Sequence, residues 1–239
     1  HESLIKISKK KCNKTLVSIF VNPRQFNSND DYIKYPRNLN KDLKILKKLK
    51  VNFVFLPTAN QIYNFEKLKD FKLKKTEKIL CAKFRKGHFE GVLDVMNRFI
   101  HLILPKYVFM GEKDFQQLIL VKKYIEKHFK TKIISCKTIR DNNKIALSSR
   151  NYLLNKTDLN VVGQIAKELI NVRSKIEHSR NKSSYFINLT KKNFTKNFNI
   201  NIQYLETRNC LDLKKNISNK KFKLFIAYFI NNIRLIDNF

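Results

Sequence analysis

Eight residues, Gly111 to Leu118 (GEKDFQQL), bring together side chains that a nucleotide site needs. They follow a short apolar run, Tyr107 to Met110, and open a stretch of helical spacing that reaches about Phe129. A glycine at a strand-to-helix turn lets backbone come close to a ligand. The first N–H groups of a helix, with its dipole, favour phosphate or carboxylate. Lys113 adds a cation, and Asp114 an acceptor for a sugar hydroxyl. Gln117 lies one helical turn beyond Asp114 and shares its face. Taken alone, the stretch also reads as a capped helix with solvated charges.

Two more clusters carry groups of this kind. Ser148, Ser149 and Arg150 place two hydroxyls beside a forked cation, a set that suits a polyphosphate. The plain alternative is a helix N-cap, with Ser149 or Asn151 capping the next helix. Asn22-Pro23-Arg24-Gln25-Phe26 follows the apolar, β-branched run Thr15 to Val21. Such a run is expected of a buried parallel strand, and open α/β sheets bind ligands at the carboxyl ends of their strands. Asn22 and Gln25 would then project amides into the crevice. Here too a plain reading exists, an Asn-Pro turn with a surface glutamine.

The elements that must position these residues follow from spacing. Residues 1–10 read as a helix, Leu39 to Leu49 as another, and Val51 to Pro57 as a strand. The polar, lysine-rich segment from Ala59 to Lys78 reads as loop with a short helix. Gly87 and Gly91 bracket His88 in a loop, before a helix from about Val92 to Leu104. His88 is expected to cap that helix or bond a backbone carbonyl. Lys132 to Ile139 forms another strand. After Asn155 a helical pattern, Asp158 to Ile176, gives way to a basic, Asn-rich stretch. Strand-like runs then appear at 201–206 and 222–229. The whole is α/β, with a smaller α+β part at the end.

Composition bounds the function class. The 239 residues are 43% hydrophobic, enough for a sizeable core. No apolar run is long enough to span a bilayer. The four cysteines are far apart, form no CxxC, and read as reduced thiols of a cytoplasmic protein. A net charge of +31 suggests nucleic acid, but the lysines are spread along the whole chain rather than clustered. Affinity for polyanions is expected as a side effect of charge, not as a dedicated role.

In order along the chain, VSIFVNPRQF, YPR, GHFEGV, GEKDFQQL, SSRNYLL and RLIDN resemble the pantoate–β-alanine ligases, or pantothenate synthetases, of the HxGH nucleotidylyltransferase superfamily. The resemblance implies a Rossmann-like parallel sheet with helices on both faces over residues 1–138. It implies a lid domain over 139–239 that carries the SSR loop, counterpart of a KMSKS loop. His1 to Ile5 (HESLI) matches the family from the second His of HxGH onward. The expectation is therefore a chain without the first strand, its turn and the first motif His, and with little activity as it stands.

The resemblance also implies the site. ATP would meet Gly111, Glu112, Lys113, Asp114, Ile139, Leu147, Ser148, Ser149 and Arg150. Pantoate would meet Asn22, Gln25 and Gln117, with Gln25 also near β-alanine. His1 and Lys113 would act on the phosphates, and Asp42 would lie near the magnesium of MgATP. No tightly bound organic cofactor is implied, and the partner is a second copy in a homodimer. Three positions depart from the family pattern: Lys41 for an acidic residue, Lys86 for a proline, and Leu147 for a methionine, the last a volume-conserving change. Two other readings stay open, a different HxGH nucleotidylyltransferase and a non-catalytic basic nucleic-acid-binding module.

Overall fold

The structure, a computed structural model, describes residues 1–26, 32–33, 35–64 and 70–239. Part of the lysine-rich segment read as loop, residues 65–69, lies outside the described residues. The chain divides into two compact units. One comprises His1–Glu112 and Gln117–Cys136, the other Lys113–Gln116 and Lys137–Phe239.

In the first unit α1 (Glu2–Lys11) buries Ile5 and Ser8, three positions apart on one face. The Ser8 hydroxyl lies 2.9 Å from that of Thr15, which ties the helix to the start of β1 (Leu16–Ser18). α2 (Leu39–Lys48) is capped by the Asn38 side chain, which accepts from the Lys41 N–H, and its last turn is basic. It leads to β2 (Phe53–Phe55), which pairs in parallel with β1. α3 (Ala59–Tyr63) opens on a capping box in which Thr58 and Gln61 satisfy each other's backbone N–H. α4 (Cys81–Phe84) and α5 (His88–Ile103) precede β3 (Tyr107–Gly111). α6 (Phe115–His128) is the crossover that a parallel pair requires, and leads to β4 (Lys132–Cys136). Its buried residues Leu118, Val121 and Ile125 recur at helical spacing.

Three expectations change here. The strand after Thr15 was expected to be buried, yet Leu16 is 39% exposed and its neighbours Phe53 and Val54 are 52% and 38% exposed. The cause is local: among the described residues β1 and β2 bond only to each other. For the same reason the parallel strands form two separate pairs, β1–β2 and β3–β4, rather than one continuous sheet. The third change is at α5, which starts at His88 instead of Val92. Gly87, at φ 77°, supplies the left-handed residue that turns the chain into the helix.

The second unit is an antiparallel sheet packed against two helices. α7 (Lys156–His178) is capped by Asn155, whose side chain accepts from the Asp158 N–H. α8 (Ser183–Asn197) lies in the Asn-rich stretch, where spacing suggests no element. Ile187, Thr190 and Phe194 form its buried face, a helical spacing that the surrounding Asn and Lys obscure. β5 (Asn201–Asn209), β6 (Phe222–Ile230) and β7 (Ile233–Asn238) complete the unit in the order β5-β6-β7. Its core joins Ile165, Leu169 and Ile176 of α7 to Leu205, Leu224 and Ile226 of the sheet. No helix among the described residues is long and apolar enough to cross a membrane.

Candidate active site

Pro23–Gln25 forms one 3-10 turn beyond the carboxyl end of β1, and Asn22 caps it. Asn22 is 1% exposed. Its Oδ1 accepts from the Arg24 N–H at 3.0 Å and from the Tyr63 hydroxyl at 2.7 Å, while Nδ2 donates to the Gly91 carbonyl at 3.0 Å. A side-chain amide has four hydrogen-bonding positions, so the protein itself takes three of them. The amide expected to project into a crevice therefore works first as a brace between the turn and α5.

The turn is held in three further ways. The Arg24 guanidinium pairs with Asp94 at 2.9 Å and lies 3.8 Å from the centre of the Tyr63 ring. Asp94 also takes a bond from Arg98 Nε at 2.7 Å, and Arg98 Nη1 donates to the Ile62 carbonyl. Burial, then the Asp94 carboxylate, pushes the Tyr63 phenol up to about 12 against the opposing pull of Arg24, Arg98 and Asn22. Tyr63 therefore keeps the proton that it donates to Asn22. Lastly, Gly91 is the close approach. A Cβ there would lie 2.5 Å from the Arg24 carbonyl oxygen and 2.8 Å from its carbon. This glycine was expected in a loop; it sits in the first turn of α5, and sterics require it.

Gln25 is half-buried. Its backbone carbonyl lies 2.7 Å from His88 Nδ1 and accepts from Arg85 Nη2 at 3.2 Å. His88 thus bonds a backbone carbonyl, one of the two roles expected of it.

The second cluster lies at the carboxyl end of β3. Gly111 ends that strand, Glu112–Asp114 form a 3-10 turn, and α6 begins at Phe115. Lys113 and Asp114 therefore sit in a turn that precedes the helix, rather than in its first turn as expected. Glu112 accepts from the Ser135 hydroxyl at 2.6 Å. The Lys113 carbonyl accepts from Asn238 Nδ2 at 2.9 Å. Gln117 is half-buried near the start of α6. A Cβ on Gly111 would meet no protein atom within 4 Å, and its φ is not positive. The fold itself does not require glycine there.

The third cluster belongs to the second unit. Arg140 forms a two-pronged ion pair with Asp237, at 2.7 and 2.9 Å, and donates to the Asn238 carbonyl. Leu147 N–H donates to the Ile139 carbonyl, and both apolar side chains are exposed. Ser148, not Ser149 or Asn151, caps the short Ser149–Leu153 helix by accepting from the Arg150 N–H. Arg150 Nη1 donates to the Arg234 carbonyl at 3.3 Å.

RLIDN therefore has work that its motif alone does not reveal. Arg234 receives Arg150, Asp237 holds Arg140, and Asn238 holds Lys113. The signal was two charged residues and an amide in a strand whose neighbour β6 is almost wholly apolar. Two other assigned residues stand apart. Asp42 is exposed in the first turn of α2, and His1 is exposed ahead of α1 with no side-chain cap bond.

The family model for pantoate-β-alanine ligase matches residues 1–239. This chain belongs to the pantoate–β-alanine ligase family. It is 36% identical over 250 residues to the pantothenate synthetase of Flavobacterium psychrophilum, covering 100% of this chain and 86% of that one. Among solved structures it resembles pantoate-beta-alanine ligase from Francisella tularensis, complexed with beta-gamma ATP and beta-alanine. That likeness has a TM-score of 0.79 at 34% identity and covers 99% of this chain and 83% of the other. Pantothenate synthetase from Thermus thermophilus matches at a TM-score of 0.90 and 24% identity over 100% of this chain and 87% of that one, a likeness of fold. The family's α/β architecture, with helix-flanked parallel strands and a C-terminal antiparallel sheet, is the one described above.

Proposed function

We propose that this protein joins pantoate to β-alanine at the expense of ATP, releasing AMP and pyrophosphate. The pantoate carboxylate attacks the α-phosphorus of ATP and expels pyrophosphate. The β-alanine amine then attacks the mixed anhydride and displaces AMP. ATP supplies the activation, so no side chain need act as a covalent nucleophile. The protein's part is positioning and charge stabilisation.

Lys113, Ser148, Ser149 and Arg150 are assigned to the phosphates, where charge builds on the departing pyrophosphate. The Lys113 ammonium has no hydrogen bond or ion pair with the described residues, while its carbonyl is anchored by Asn238. Gly111, Glu112 and Asp114 are assigned to the ribose side, and Ile139 and Leu147 to the adenine. Gln25 and Gln117 are assigned to pantoate, Gln25 also to β-alanine, and Asn22 to the same end chiefly through the turn it braces. His1 is assigned to the phosphates.

Magnesium enters as part of the MgATP substrate, with Asp42 as its protein carboxylate. Mg²⁺ usually takes one or two carboxylates, its remaining ligands being phosphates and water. A homodimer in the cytoplasm completes the proposal.

The observation that carries this reading is one family match over all 239 residues with its motif positions at strand ends and turns. The test is pyrophosphate release from ATP with pantoate, followed by pantothenate formation once β-alanine is added. Removing one preorganised donor of this kind costs roughly 10²–10³-fold, so Lys113→Ala should slow pyrophosphate release by that factor. Preformed pantoyl adenylate should restore most of the second step. Pyrophosphate release without any dependence on pantoate would sink the reading.

A further inference from the structure

Two side chains meet at one carbonyl in the first unit. His88 Nδ1 lies 2.7 Å from the Gln25 carbonyl oxygen, and Arg85 Nη2 donates to the same oxygen at 3.2 Å. Arg85 Nη1 lies 3.0 Å from His88 Nε2. A guanidinium has donors only, so His88 Nε2 must accept. A carbonyl only accepts, so Nδ1 must carry the hydrogen. The two distances together select a single state of the ring, neutral with its proton on Nδ1. Arg85 enforces that state, because a proton on Nε2 would face a guanidinium N–H.

The surroundings hold this arrangement in place. His88 is 8% exposed, and its ring meets the Phe89 ring edge-on with centroids 4.8 Å apart. Gly87 takes the left-handed conformation, φ 77°, between Arg85 and His88, so that the chain reverses and both side chains reach one acceptor. Both lone pairs of the Gln25 carbonyl are then in use. The backbone leading into Gln25 is therefore held, by Asn22 before it and by the Arg85–His88 pair at its own carbonyl.

We infer that Arg85 and His88 are positioning residues that fix the aim of the Gln25 side chain through its backbone carbonyl, and so set affinity for the hydroxy acid. The inference rests on the assignment of Gln25 to pantoate. Neither residue touches the reacting atoms, so the effect belongs in acid binding and leaves ATP binding alone.

Two measurements on the expressed protein test it. The first is ¹⁵N NMR of the His88 ring at neutral pH, which should show hydrogen on Nδ1 and a bare Nε2. The opposite tautomer or a doubly protonated ring overturns the inference. The second is titration with pantoate and, separately, with ATP. Loss of a donor to a half-buried carbonyl should weaken pantoate about tenfold in His88→Leu, with ATP affinity unchanged. His88→Asn offers an amide N–H to the same carbonyl and should recover pantoate affinity to within about threefold. Equal weakening of both ligands, no weakening of pantoate, or no recovery in His88→Asn each overturns it. A wild-type protein that binds ATP but no pantoate sinks the functional reading instead, while the NMR result still decides how the Gln25 carbonyl is held.

Discussion

Gly91→Ala isolates what the close approach of α5 to the NPRQF turn contributes. The new methyl carbon would sit 2.5 Å from the Arg24 carbonyl oxygen and 3.2 Å from the Gln25 nitrogen. Both are backbone atoms, which cannot swing aside as a side-chain tip can. A relaxed carbon–oxygen contact is about 3.3–3.6 Å, so the turn or the helix must move by roughly 0.8–1.1 Å from the 2.5 Å position. Forcing a methyl into packed structure costs about 1–3 kcal/mol. Alanine gains about 0.8–1 kcal/mol over glycine inside a helix. The net loss of stability should therefore be about 0–2 kcal/mol, a fold that survives. The Asn22–Gly91 bond and the Arg24–Asp94 pair would both stretch, and Gln25 would move with the turn. A misplacement of about 1 Å can cost on the order of 10²-fold in rate. The expected signature is a loss in kcat/KM for pantoate of about that size, next to a denaturation midpoint that shifts little. Steady-state kinetics and urea unfolding of both proteins supply the two numbers. If the variant matches wild type for pantoate, the turn does not hold the acid, and the reasoning about Gly91 fails.

Gly111→Ala should behave in the opposite way. With no protein atom near the added Cβ, unfolding free energy should stay within about 0.5 kcal/mol of wild type, while ATP binding weakens at least tenfold; a stability loss with normal ATP binding would contradict it. Asn238→Ala frees the Lys113 carbonyl and should lower the rate of pyrophosphate release more than it alters pantoate affinity, which a stopped-flow assay can separate. Asp237→Ala leaves Arg140 partly buried without its carboxylate; fully buried pairs lose about 3–5 kcal/mol when broken, and at 13–19% side-chain exposure a loss of about 2–3 kcal/mol is expected in denaturant unfolding. Tyr63 has a folded pKa raised from 10.0 to about 12, so between those values the unfolded chain gives up a proton that the folded chain keeps, and stability falls as pH rises through that window; Tyr63→Phe should flatten that decline, and an unchanged slope would show that Tyr63 is not responsible.

The strand-and-turn order was legible because it rests on local physics. Apolar β-branched runs mark strands, and Gly111 marks where β3 stops, whereas β1 ends at Ser18, short of Pro23. The strands β3 and β6 came out within one residue of their expected bounds for that reason, and β5 starts where expected but runs three residues longer. α8 was not legible, because Asn and Lys crowd a face that only Ile187, Thr190 and Phe194 bury. The start of α5 was missed because its glycine pattern reads as loop. That position 91 of this helix must be glycine depends on Arg24, 67 positions earlier, and a local window does not reach that far.

The sequence by itself determined the chemical inventory: the cations, hydroxyls and amides of the three clusters, their order, and the family they belong to. Those properties are carried by residue type and spacing, which survive without coordinates. Only the tertiary structure decided what each group is available for. Asn22 and Gln25 look alike in the sequence, two amides in one turn. Folding brings Gly91 and Tyr63 to Asn22 and uses up most of its amide, whereas at Gln25 it brings Arg85 and His88 to the backbone instead. RLIDN likewise gained its role only when β7 brought Asn238 to Lys113 across 125 positions of chain. Hydrogen-bond capacity is short-ranged and limited in number, so its allotment depends on which distant groups arrive within about 3 Å.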